Sequence, residues 1–174
     1  MKIILIISLS LLCVLQLNAQ KDSTHLKRYQ AVYIEIGGPS TIASLNYEMG
    51  LLQKKRLKLN VRIGLGFTRF KDFSIAFNPD ITVPIGLSTM LLLLDRNKGI
   101  LHIELMGGNT ISSYVKADNN YQPHREFDNH GYISAGPSWT FNKGLYTRLA
   151  YCLLLEKYKT PLHWGGISIG YKFK

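Results

Sequence analysis

At 174 residues the chain is long enough for one domain of ordinary size. Its charged fraction is 18%, below the ~25% usual in soluble domains, and its net charge of +10 directs it toward anionic surfaces. After the N-terminus no stretch is long and apolar enough for a membrane helix, and no phosphate loop, nucleotide fingerprint or nucleophile elbow occurs.

The chain opens with MKIILIISLSLLCVLQLNAQ. Lys2, a largely apolar run from Ile3 to Leu15, and Leu17-Asn18-Ala19 follow the plan of a secretory signal peptide cleaved after Ala19. The run is short for an anchoring helix, which needs ~20 apolar residues. We read residues 1–19 as signal peptide, 20–30 as a flexible polar tail and 31–174 as a single β domain. Export makes an anionic lipid surface, rather than nucleic acid, the expected counterpart of the positive charge. Cleavage removes Cys13 and leaves Cys152, so no internal disulfide is expected.

Eight short runs of alternating residues follow: 31–37, 41–49, 57–68, 81–91, 100–108, 132–141, 145–154 and 166–173. Turn residues separate them, and no 3.6-residue period competes. The pattern predicts an all-β sandwich or barrel. Alternation fails at "MLLLL" (residues 90–94). Pro84 and Pro137 sit inside runs, where proline marks a bulge or an edge.

One register of every run is apolar. It begins with Val32, Ile34 and Ile36 and ends with Ile167, Ile169, Tyr171 and Phe173; none of its positions is charged, and only Thr89 and Thr147 are polar. The other register holds the charges: Glu35, Glu48, Lys58, Arg62, His102, Glu104, Arg148 and Lys172, among glycines and serines. Connection lengths decide which face is the inside. Those after runs two, four and six are short and basic; those after three, five and seven are longer. That alternation matches transmembrane barrels, with their short periplasmic turns and longer outside loops. The apolar face then meets lipid and the charged face fills the interior. Buried charges must be paired, so the eight charged residues are expected to form a structural ion-pair network.

The leader, the eight runs and the terminal "GISIGYKF" together resemble the small eight-stranded outer-membrane β-barrel proteins of gram-negative bacteria, the outer membrane protein beta-barrel domain family. The resemblance runs from about Val32 to the end. It implies an antiparallel up-and-down transmembrane barrel, located in the outer membrane, in contact with its lipids and inserted by the outer-membrane assembly machinery. It also implies that Tyr171 and Phe173 carry the assembly signal. Family members commonly end in an aromatic residue; here Lys174 follows Phe173.

Candidate chemistry outside the barrel is sparse. "HREFDNH" sets His124, Glu126, Asp128 and His130 at steps of two, an arrangement of plausible ligand types in the longest loop, and no metal site is assigned there. The reading is therefore a monomeric outer-membrane barrel that is not an open pore and carries no cofactor. Its role is structural or surface-interacting, through the loop from Asn109 to His130, and not enzymatic. Two alternatives stay open. One is a secreted lipocalin-like barrel with the apolar register turned inward around a small ligand. The other is an outer-membrane lipid-modifying hydrolase using His130 or His163.

Overall fold

The computed structural model describes residues 29–40, 42–54, 56–71, 77–117, 123–155 and 160–173. The expected signal peptide, the tail up to residue 28, and Lys174 lie outside them. Eight strands follow in order: β1 (Gln30–Gly37), β2 (Ala43–Gln53), β3 (Leu57–Lys71), β4 (Phe77–Arg96), β5 (Gly99–Ala117), β6 (Pro123–Phe141), β7 (Leu145–Leu155) and β8 (Leu162–Phe173). Each pairs antiparallel with the next, and β8 pairs with β1 to close a barrel. The closing seam sets Ile34 opposite Ile169 and Glu35 opposite Ser168. Side chains alternate across a strand, so this register sends every apolar set to one face.

That face is the outside. Ile36 and Ile167 are 68% and 61% exposed, whereas Glu35 and Arg62 are 0% and 1% exposed. The lipocalin-like alternative required the opposite arrangement, and the register excludes it. Close packing inside depends on small residues beside large ones. Tyr132 occupies space that side chains at Gly86 and Gly108 would take: a Cβ at these positions would lie 2.2 and 2.7 Å from its hydroxyl.

Several strands are longer than their alternating runs. The loop expected from Asn109 to His130 is mostly strand: β5 and β6 remain paired from Asn109↔Gly131 out to Ala117↔Pro123. Its outward residues include Arg125 and Asn129, so an apolar outer face could not reveal it. The expected tail also ends early. Gln30 already belongs to β1, and Tyr29 is buried. The "MLLLL" stretch is strand throughout, with a register shift between Leu92 and Leu94 that inserts one extra residue. Both prolines interrupt one ladder. β3–β4 pairing skips from Ile63↔Ile85 to Gly66↔Thr82 around Pro84, and β6–β7 pairing skips Gly136 and Pro137. Each gap follows from the missing proline N–H.

The short connection "GGPS" has a specific place. Gly38–Ser40 form one 3-10 turn, fully buried, that folds into the barrel end opposite the termini. Thr110 and His130 both donate to the Pro39 carbonyl, at 3.1 and 3.3 Å. The turn therefore caps the lumen. Gly38 has φ +70°, and a Cβ there would sit 2.7 Å from the Glu35 carboxyl carbon. Gly38→Ala is expected to destabilise the barrel by about 1–2 kcal/mol from backbone conformation alone. A lowered urea midpoint of the folded protein checks it.

Candidate functional site: the charged lumen

All eight charged residues of the predicted network point into the lumen or its mouth, but at different heights they do different things. The centre is a four-residue cluster. Arg148 donates to Glu35 Oε1 at 2.6 Å and to Glu104 Oε1 at 3.1 Å; Arg62 pairs with the other oxygen of Glu35. Two acids and two bases balance, as burial demands. Glu35, Arg62, Glu104 and Arg148 come from β1, β3, β5 and β7, so the cluster ties alternate strands across the barrel. Ladder hydrogen bonds join only neighbours, and these ties add the cross-lumen constraint.

Neutral groups complete the cluster. Tyr146 donates to Glu104 Oε2 at 3.0 Å, Arg62 Nε donates to Asn46 at 3.1 Å, and Ser168 donates to Glu35 at 3.3 Å. The Tyr33 ring lies against both guanidiniums, 5.5 Å from Arg62 and 5.1 Å from Arg148. That distance suits a cation–π contact. Sequence reasoning places Asn46 and Ser168 on the interior face and misses Tyr33 and Tyr146. The signal is available for Tyr33 and Tyr146, which share the inward register with Glu35 and Arg148.

The other four predicted residues stand apart from this cluster. Glu48 accepts from the Tyr29 hydroxyl at 2.8 Å. Lys172 sits over the Tyr146 and Tyr29 rings at 4.1 and 5.0 Å, and Lys58 over Tyr29 at 5.7 Å. His102 has no hydrogen-bond partner on either ring nitrogen. The expected network of eight is thus a network of four, because the remainder lie nearer the termini, beyond the reach of Glu35. Beyond them, Tyr171 and Phe173 face outward beside the termini, with ring centroids 6.5 Å apart.

The "HREFDNH" stretch does not assemble a ligand set. His124 Nε2 lies 3.0 Å from Glu126 Oε1, Asp128 accepts from the Asn129 N–H, and His130 turns to Pro39. Among the described residues no three His, Cys, Asp or Glu side chains converge on a metal position. The hydrogen bond from His124, with further ones from Tyr114 and Lys116, holds the Glu126 carboxyl below the usual carboxylate range. His163, the other histidine of the hydrolase alternative, faces outward with Nδ1 hydrogen-bonded to Tyr151.

The centre of the lumen pairs its charges, with Arg148 Nε and the Tyr33 hydroxyl buried without a partner; the outside of the barrel is apolar. No protein-family model and no curated protein matches the chain. Solved structures do resemble it. The N-terminal β-barrel domain of Pseudomonas aeruginosa OprF is similar at 11% identity over 84% of this chain and 96% of that one, with a TM-score of 0.56. A major outer membrane protein from Thermus thermophilus is similar at 8% identity over 85% of this chain and 100% of that one, with a TM-score of 0.50. At such identities the likeness is one of fold: a closed antiparallel barrel with its apolar face outward.

Proposed function

We propose that this chain is an integral outer-membrane barrel, exported by residues 1–19, whose filled lumen serves stability rather than conduction. One observation carries the reading: a closed barrel presents an apolar exterior and keeps its charge inside. Soluble proteins rarely expose contiguous apolar patches beyond a few hundred Å². A bilayer removes that penalty, and closure leaves no unpaired strand edge in hydrocarbon. The similar fold of a protein named for the outer membrane supports the location. Tyr171 and Phe173 serve in this reading as the assembly signal.

The end bearing the termini and the connections after β2, β4 and β6 faces the periplasm, and the β5–β6 hairpin faces outward from the cell. Among the described residues β6 runs on past its last β7 partner, Gly131↔Leu155, and displays Phe127 at 76% exposure. An exposed strand with an apolar side chain suits addition of an extended segment of a partner protein. The role is interaction at the cell surface, with no catalytic step and no cofactor.

Thiol labelling tests the orientation, since Cys152 is buried. On intact cells, a membrane-impermeant maleimide is expected to modify Phe127→Cys and to spare Asn142→Cys until the outer membrane is permeabilised. The reverse pattern would invert the topology. Equal labelling in a soluble periplasmic fraction would remove the membrane reading.

A further inference from the structure

A cavity of about 490 Å³ opens at the barrel end that carries both termini. Lys58, Lys172, His102, Gln53 and Thr140 all line it. Lys172 donates to the Met90 sulfur, a weak acceptor, at 3.8 Å. His102 is 1% exposed and neither of its ring nitrogens has a partner; the Gln53 amide nitrogen and the Thr140 hydroxyl are also buried and unpartnered. Neither lysine forms an ion pair among the described residues; each is held instead by aromatic ring faces.

Charge around the cavity is one-sided. Glu48, nearer this end than the central cluster, accepts from Tyr29 through one oxygen, and its other oxygen is buried without a partner. Glu48 acts on both ammonium groups, with Asp95 also acting on Lys58 and Glu104 on Lys172. At the mouth, Lys54, Arg56, Arg96, Lys98 and Lys143 add positive charge, against Asp95 alone among the described residues there. Clefts lined by one sign of charge concentrate counter-ions. Buried donors left without acceptors cost free energy, so a site of this kind is stable only when something fills it. Water satisfies neutral donors; it does not offset the surplus positive charge.

We propose that this cavity binds a small oxyanion, a phosphate or carboxylate group held between Lys58 and Lys172 with His102 and Gln53 as further donors. The inference depends on the lumen alone and stands whether or not the barrel spans a membrane. Its donors come from β3, β5, β8 and the end of β2, so a bound anion also bridges strands where the central ion pairs do not reach.

The test follows the His102 ring by NMR of ¹⁵N-histidine-labelled, folded protein in zwitterionic detergent. Inorganic phosphate is titrated at neutral pH against chloride at constant ionic strength. A saturable shift of the His102 signals is expected. Lys172→Gln and Lys58→Gln, on different strands, should each weaken it about tenfold or more, the effect of one lost hydrogen bond to a charged group. The mobility of unboiled protein on gels reports that each variant is folded. A second arm replaces phosphate with short-chain phosphatidic acid in the same micelles. Saturation by inorganic phosphate assigns a free anion; saturation by the lipid alone assigns a headgroup. If neither moves His102 more than chloride does, or if folded lysine variants respond as the wild type does, the proposal fails.

Discussion

Glu35→Gln is expected to lower the stability of the folded barrel by about 3–5 kcal/mol, the usual cost of removing one partner from a buried ion pair. Glu35 is the carboxylate that both central guanidiniums share, and it is fully buried. Its loss leaves Arg62 and Arg148 facing Glu104 alone, with a net positive charge sealed under the 3-10 cap. Ser168→Ala provides the control. Ser168 donates to the same carboxylate at 3.3 Å and accepts from Arg148 at 3.2 Å, but its removal leaves every charge paired and costs about 1.5–3 kcal/mol. Urea titrations of both variants in the same detergent measure the contrast. Equal effects would mean that charge is not what locks the lumen.

A second large effect is expected from the opposite face. Ile169→Arg places a cation on the outside of β8, at the seam position paired with Ile34. Ile169 is 56% exposed, so nothing inside the protein needs to move. In a soluble barrel such a change would fall within about ±0.5 kcal/mol. At the middle of a bilayer it costs roughly 2–4 kcal/mol. Phe127→Arg makes the same kind of change beyond the apolar belt and is expected to be near neutral. Unfolding measured in lipid vesicles should separate the two variants. Indistinguishable stabilities would contradict a lipid-facing β8.

Much of this architecture is legible in the sequence because two periodicities coincide. Strand alternation and the exclusion of charge from one face both mark the same positions, from Val32 to Phe173. Where the second signal stops, the first is not enough. Beyond the belt, Ser112, Tyr114, Glu126 and Asp128 alternate with residues under no demand to be apolar, and a paired hairpin reads as a loop. The charged lumen is legible as a set of residues but not as a geometry. Period-two reading shows that Glu35 and Lys172 share a face; it does not show their heights along the barrel. Those heights put Glu35 among the arginines and leave Lys172 against Tyr29 and Tyr146. The cap is illegible for a different reason. "GGPS" looks like an ordinary tight turn, and only the closed barrel reveals that Pro39 meets Thr110 and His130 inside it.

The central claim is that the apolar exterior meets lipid, and Trp139 reports on it directly. Trp139 lies near the terminal end of β6, beside Phe141 at a ring distance of 6.0 Å, and Trp164 lies near the start of β8 at the other end. Trp139 belongs to the outward register, whereas Trp164 is paired with the inward-facing Cys152 and is 40% exposed at the rim; the chain has no other tryptophan. The measurement is Trp139 emission of the Trp164→Phe variant reconstituted in vesicles of brominated phosphatidylcholine. The account predicts quenching of Trp139, stronger with bromine placed near the headgroups than near the bilayer centre, because indole rings favour the interface. Emission that brominated lipid leaves unchanged would contradict it.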